Sequence, residues 1–132
     1  MAPLYRKLVD STNEVNKHFF QFNLTAIEKL QYTVYDSNVS KRSRYDWHQD
    51  AGFDKIHNNM IRKLSFVLLL SDTNEFTGGD FQMLRSPESE SVPELKQGTI
   101  IFFPSPTMHR VTEVTNGVRK TIVGWVRGPH WV

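Results

Sequence analysis

The sequence predicts an all-β domain, whether sandwich, barrel or jelly roll, with one helix packed on its outside. Three observations carry that expectation. Seven short runs rich in β-branched and aromatic residues are separated by turn-forming residues at fairly regular intervals. Helical spacing of apolar residues occurs only near the N-terminus. The 132 residues suffice for one hydrophobic core and not for a second independent unit.

From Ala2 to about Phe20, Leu4, Leu8, Val15 and Phe19 recur at near-helical spacing, which predicts one helix or two short ones. The strands then follow in order: "LQYTVY" (30–35), "RYDWHQ" (44–49), "KLSFVLLLS" (63–71), "DFQML" (80–84), "TIIFF" (99–103), "MHRVTEV" (108–114) and "KTIVGWV" (120–126). Between them "DSN", "TGG", "RSPESESVP", "KQG", "PSP" and "TNG" read as turns. The Asn-Gly of "TNGVRK" predicts a tight hairpin that makes the strand bearing His109 and the strand bearing Arg119 antiparallel neighbours. Gly78 and Gly79 suit a tight turn or bulge.

Composition narrows the function. An apolar fraction of 39% is that of a globular chain. Sixteen basic against 14 acidic residues leave a net charge of +2, and no long block of like charge exists. "SKRSRY" is basic but short and lacks interleaved aromatics, so it reads as a solvated loop rather than a nucleic-acid platform. The absence of cysteine excludes disulfides and thiolate metal sites, so any metal site must use nitrogen and oxygen. The run "FVLLL" is far below membrane-spanning length, and the first residues show no signal-peptide pattern; a cytoplasmic location is the expectation.

"RYDWHQDAGF" sets His48 two residues before Asp50. Residues i and i+2 of an extended chain point to one side, so an imidazole and a carboxylate emerge together, with Arg44 and Asp46 on the same face. Chance alone gives about 0.3 such pairs in a chain of this composition, so the pair by itself is weak. A second histidine, His109, follows "FFPSPTM", where two prolines set a rigid approach and leave it near the mouth of its strand. In a jelly roll, His48 and Asp50 at the end of one strand and His109 at the start of a distant one reach the same open end. Two histidines and one carboxylate on one face of a metal form the facial triad, which leaves positions open for reactants. Arg119 and Thr121 share a strand face with Val123 and Trp125, and a guanidinium beside a hydroxyl is a good receptor for a carboxylate. Lys120, on the opposite face, is the alternative anchor should the register differ by one.

The set "YDWHQD", "GGDF" and "GTIIFFPSPTMHRVTEVTNGVRKTIVGW" resembles the non-haem Fe(II)/2-oxoglutarate-dependent dioxygenases, and within them the prolyl-4-hydroxylase-like branch with its small bacterial and phage members. The resemblance runs from about Tyr32 to Trp125. It implies a double-stranded β-helix that binds Fe(II) through His48, Asp50 and His109. It further implies that 2-oxoglutarate is held by Arg119 with Thr121 as a supporting donor, and that a tyrosine, Tyr35 or failing that Tyr32, adds a hydrogen bond. O₂ is then the cosubstrate, ascorbate an accessory, and the reaction hydroxylation of a C–H bond, with 2-oxoglutarate decarboxylated to succinate and CO₂. The whole chain is expected to be one catalytic domain, with residues 1–28 as helical support and 29–132 as the jelly-roll core.

Other residues receive smaller roles. Tyr45 matches a family tyrosine, but strand parity places it opposite His48 and predicts packing. Phe81, Ile101, Phe103 and Val123 are wall candidates. His57, in the polar stretch "AGFDKIHNNMIRK", sits in a segment long enough for a lid. Trp47 is expected to brace His48 from the core, and His18 and His130 to lie on the surface. The substrate, a small molecule or a prolyl or other residue of a peptide, is not specified by fold and iron site. No membrane or nucleic-acid partner is expected. A jelly-roll or cupin-like metal-binding or ligand-binding module without catalysis is the alternative, and it needs neither an open metal face nor an Arg-x-Thr clamp.

Overall fold

The structure is a computed structural model that describes residues 3–39, 43–51, 59–85, 88–91 and 95–131. Helix α1 (Pro3–Val15) opens on a proline, whose missing N–H removes no bond because the first turn of a helix has no intrahelical acceptor there. Leu8 and Thr12, one turn apart, are its buried residues, and the Thr12 hydroxyl donates back to the Leu8 carbonyl at 2.7 Å. The helix ends in a wide turn over Asn16–Phe20, closed by the Gln21 N–H on the Asn16 carbonyl at 2.6 Å. The Asn16 side chain then binds both the N–H and the carbonyl of Phe22 at 2.9 Å. The wide turn leaves Phe19 79% exposed and brings Phe20 and Phe22 onto the core. The expected stripe therefore fails at Leu4 and Phe19, which face solvent, and holds at Leu8. No helix among the described residues is long and apolar enough to cross a membrane.

The rest is mainly β, in two antiparallel sheets. β4 (Met60–Leu69) and β10 (Val114–Pro129) are the centre of the larger one. β8 (Ile100–Pro104) lies on the far edge of β4. β1 (Ala26–Ile27) and β2 (Gln31–Asp36) lie along the other edge of β10, and β5 (Phe76–Gly78) pairs with its first residues. The smaller sheet has the order β3 (Tyr45–His48), β9 (His109–Val111), β6 (Phe81–Arg85), β7 (Glu88–Ser91).

β4 is buried on both faces from Lys63 to Leu69, which is why "FVLLL" is a continuous apolar run rather than an alternating one. Leu64, Phe66 and Leu68 meet Leu8 and Val126 beneath the helix. Val67 turns the other way and meets Tyr35, Phe81, Phe103, Val111 and Val114 between the two sheets. Each fully buried side chain of this kind contributes about 1.5–3 kcal/mol of apolar burial. The inter-sheet layer is where the site opens.

Two sequence expectations need correction. Asn116-Gly117 is not a hairpin: β10 runs through it, with a register shift against β5 between Val114 and Asn116. Gly117 takes φ +80°, and a Cβ there would fall 1.9 Å from the Glu75 carbonyl oxygen, so the glycine serves close backbone approach instead of chain reversal. The chain changes sheets just before, where Thr112 and Asp80 exchange hydrogen bonds (Thr112 N–H to Asp80 O, 2.9 Å; Asp80 N–H to Thr112 Oγ1, 2.8 Å). Consequently β9 neighbours β3 and β6, not β10. In addition, part of "RSPESESVP" is a strand, β7, which pairs antiparallel with β6. Of the expected lid, "AGFDKIHNNMIRK" (51–63), Met60–Lys63 are the first residues of β4, and residues 52–58 with His57 lie outside the described residues.

Candidate metal centre

His48 ends β3 and His109 begins β9, and the two are direct partners across the antiparallel ladder. Their rings lie 4.1 Å apart between centroids. Asp50 follows two residues after His48, and its N–H is held by the Ser105 carbonyl at 3.0 Å, at the end of β8. Asp50 Oδ1 sits 3.5 Å from His48 Nε2 and 3.2 Å from His109 Nε2. One ligand atom from each of the three residues lies within 4.8 Å of the others. Asp50 and His109 are buried, and His48 is partly open.

Hydrogen bonding fixes how these groups present themselves. His48 Nδ1 lies 2.7 Å from the Asp46 carbonyl and His109 Nδ1 2.8 Å from the Thr107 carbonyl. A carbonyl only accepts, so each Nδ1 carries the proton and each Nε2 offers a lone pair. Two lone pairs and a carboxylate oxygen converge, an arrangement that repels itself unless a cation stands among them. This donor set fits a divalent first-row metal with imidazole and carboxylate ligands. Burial by itself would raise the Asp50 pKa, but the adjacent His109 and His48 imidazoles and the hydrogen bond from the Ser65 hydroxyl hold it well below the usual carboxylate range. Phe81 and Phe103 pack on the His109 ring, at 5.6 and 4.6 Å between centroids.

The triad forms one wall of a cavity of about 210 Å³. That is smaller than the roughly 300–1,000 Å³ of sites for drug-sized ligands and suits a compact one. The opposite wall is β10. Arg119, Thr121, Val123 and Trp125 all line the cavity, as strand parity requires. Arg119 is only 2% exposed and, among the described residues, its guanidinium meets no acceptor; it lies 5.6 Å from the Tyr35 ring, its partner across β2. Burial pushes its pKa down. Burial pushes the Tyr35 phenol up, against the pull of Arg119, which keeps it a protonated donor at neutral pH. Thr121 Oγ1 and Trp125 Nε1 are buried polar atoms with no hydrogen-bond partner among the described residues. A cradle for the arginine is built into the turn before β6: a Cβ on Gly79 would come within 2.9 Å of Arg119 Cδ.

Several expectations can be placed. Lys120 is exposed on the opposite face of β10, and Tyr32 is likewise turned outward at 57% exposure, so Arg119 and Tyr35 face the cavity rather than their alternatives. Phe81, Phe103 and Val123 line it, whereas Ile101 packs behind. Tyr45 corrects the parity argument: a bulge between Tyr45 and His48 brings both to one side, and their rings stack at 3.8 Å. Trp47 is half-buried beneath Arg110 at 4.6 Å, outside both core clusters, and so does not brace His48 from within. His18 is exposed beside Glu14, His130 is exposed, and Trp131 packs edge-on against Phe22. Sequence reasoning missed Arg62, whose guanidinium lies 3.9 Å over Trp125 and is bound bidentately by Glu28 at 2.7 and 3.0 Å, with Arg127 on the same carboxylate at 2.8 Å.

A family model described as the 2OG-Fe(II) oxygenase superfamily matches residues 30–127, a span that holds the triad and the β10 face. The chain belongs to the 2OG-Fe(II) oxygenase superfamily. It is 34% identical over 122 residues to a PKHD-type hydroxylase of Prochlorococcus marinus, covering 90% of this chain and 53% of the relative. It is 40% identical over 91 residues to a PKHD-type hydroxylase of Synechococcus sp., covering 68% of this chain and 39% of the relative. The chain thus spans about half or less of the length of these curated relatives. Among solved structures, a Pseudomonas putida prolyl-4-hydroxylase superposes with TM-score 0.67 at 22% identity, covering 91% of this chain and 62% of that one. A viral collagen prolyl hydroxylase from Paramecium Bursaria Chlorella virus-1 superposes with TM-score 0.70 at 20% identity, covering 95% and 73%. At those identities the superpositions establish the fold, the curled double-stranded β-helix shared by this superfamily member.

Proposed function

We propose that this chain is the catalytic domain of an Fe(II)- and 2-oxoglutarate-dependent hydroxylase, with residues 1–28 as support and 29–132 as the jelly-roll core. The carrying observation is the pairing of opposite walls: three convergent metal ligands face a strand on which Thr121 Oγ1 and Trp125 Nε1 are buried with no hydrogen-bond partner among the described residues, beside the buried Arg119. The buried Arg119 guanidinium feels the Asp80 charge but meets no hydrogen-bond acceptor among the described residues, and a carboxylate entering the cavity would supply one through a charge-assisted, bidentate pair. In this reading His48, Asp50 and His109 hold the iron, and Arg119 and Thr121 receive the distal carboxylate of 2-oxoglutarate, with Tyr35 as a further donor. When bound, iron and 2-oxoglutarate supply O₂ activation coupled to decarboxylation to succinate and CO₂, delivering one oxygen to a substrate C–H bond. Phe81, Phe103 and Val67 keep that side of the cavity dry, which strengthens the electrostatic grip of the clamp. Tyr45, Gln31, Arg62 and Trp125 line the remaining wall and are where a small-molecule or peptide substrate meets the enzyme. Ascorbate enters this reading as an accessory reductant with no site of its own.

Thermal unfolding with a 2-oxoglutarate analogue and Mn(II) tests the pairing. A ligand that binds through both metal and clamp raises Tm only when both additives are present. A rise with the analogue alone, or none with both, contradicts the reading and favours a binding module.

A further inference from the structure

We propose that Ser65 and Ser105 form a hydroxyl pair that holds Asp50 as a one-oxygen metal ligand, with Oδ1 turned to the imidazoles and Oδ2 kept from the metal. The inference rests on the metal-binding reading above and concerns which residues of this chain set the geometry of the carboxylate. Ser65 interrupts the apolar run of β4 on the face that looks into the cavity layer, and both serines are completely buried. Ser65 Oγ donates to Asp50 Oδ2 at 2.7 Å and lies 2.9 Å from Ser105 Oγ.

A hydroxyl has one proton to give, and an ionised carboxylate has none. Ser65 spends its proton on Asp50, so Ser105 must donate to Ser65, and the chain of donation runs Ser105 to Ser65 to Asp50. The backbone closes the same unit: Asp50 N–H binds the Ser105 carbonyl at 3.0 Å, and Ser105 N–H binds the Lys63 carbonyl at 2.9 Å. A carboxylate is planar, so fixing Oδ2 and the main chain fixes the direction of Oδ1. Both imidazole Nε2 atoms face that oxygen. Ser65 and Ser105 are positioning residues: they act through Asp50 and not on the reactants.

The test uses Co(II) titration of the full chain, followed by its visible spectrum, with no turnover required. Ser65→Ala is expected to weaken Co(II) binding about 10–100-fold, as loss of an outer-shell partner does. Ser105→Ala should weaken it in the same direction and by less, and Ser65→Thr, which keeps the hydroxyl, should retain most of the affinity. Infrared difference spectra of wild type with ¹³C-labelled aspartate provide a readout independent of any variant's folding. A wide separation of the antisymmetric and symmetric carboxylate stretches on Co(II) binding marks one-oxygen coordination. A narrow, chelating separation in wild type overturns the proposal, as does a folded Ser65→Ala protein that binds Co(II) as tightly as wild type. Wild-type protein that binds no Co(II) at all overturns the metal-binding reading and this proposal together.

Discussion

Arg119→Met should stabilise the empty protein and cripple cosubstrate binding, two effects of opposite sign from one change. The side chain keeps its approximate length and apolar stem but loses a charge that is 2% exposed and meets no acceptor among the described residues. Removing a buried charge whose desolvation the nearby Tyr35 and Asp80 only partly offset is expected to add about 1 kcal/mol to stability, a rise of about 3 °C in Tm for a domain of this size. The same change removes a desolvated bidentate partner of a carboxylate, a loss of about 3 kcal/mol that raises Kd about a hundredfold. Thermal unfolding of the metal-free protein measures the first effect. Titration of 2-oxoglutarate into the Mn(II)-loaded protein measures the second, with Lys120→Met, on the outer face of β10, as the control that changes neither. A destabilised Arg119→Met protein with unchanged cosubstrate Kd would refute the reasoning, since it would make the arginine a structural strut.

Two further outcomes follow from the framework around the cavity. Glu28 binds Arg62 and Arg127, and although burial alone would raise its pKa, hydrogen bonds and charge from the two arginines lower it below 4.5. Its contribution is therefore complete above about pH 4.5 and is lost as pH falls below that value, so Glu28→Gln should lower stability at pH 7 and flatten the acid limb of a Tm-against-pH profile. Gly117→Ala, at φ +80° with the Glu75 carbonyl in the way, should cost about 2 kcal/mol or more by urea unfolding and loosen the β5–β10 contact; a neutral result would show that the strand shifts freely there.

Much of this was legible in the sequence because the relevant side chains obey strand parity. Arg119, Thr121, Val123 and Trp125 fall on one face whatever the exact strand limits, and His48 with Asp50 needs only two residues to converge. Legibility failed where parity fails. The bulge between Tyr45 and His48 reverses the side Tyr45 takes, and nothing in "RYDW" announces it. The change of sheet at Thr112 and Asp80 rests on long-range hydrogen bonds, one backbone to backbone and one to the Thr112 hydroxyl, so the Asn-Gly after it mimicked a hairpin. β7 reads Glu-Ser-Glu-Ser and offers no apolar alternation, because its strand state comes from pairing with β6. Ser65 did leave a signal: a lone hydroxyl inside "KLSFVLLL" is a buried polar group that demands a partner, and its partner is Asp50.

The central claim is that the triad and the β10 donors together make one iron and 2-oxoglutarate site. Its most direct test is anaerobic titration with Fe(II) and 2-oxoglutarate, followed by the visible metal-to-ligand charge-transfer absorption. The account predicts a band that requires both additives, vanishes in His109→Ala and needs far more 2-oxoglutarate in Arg119→Met. Folded wild-type protein that shows no band with both additives present would contradict it.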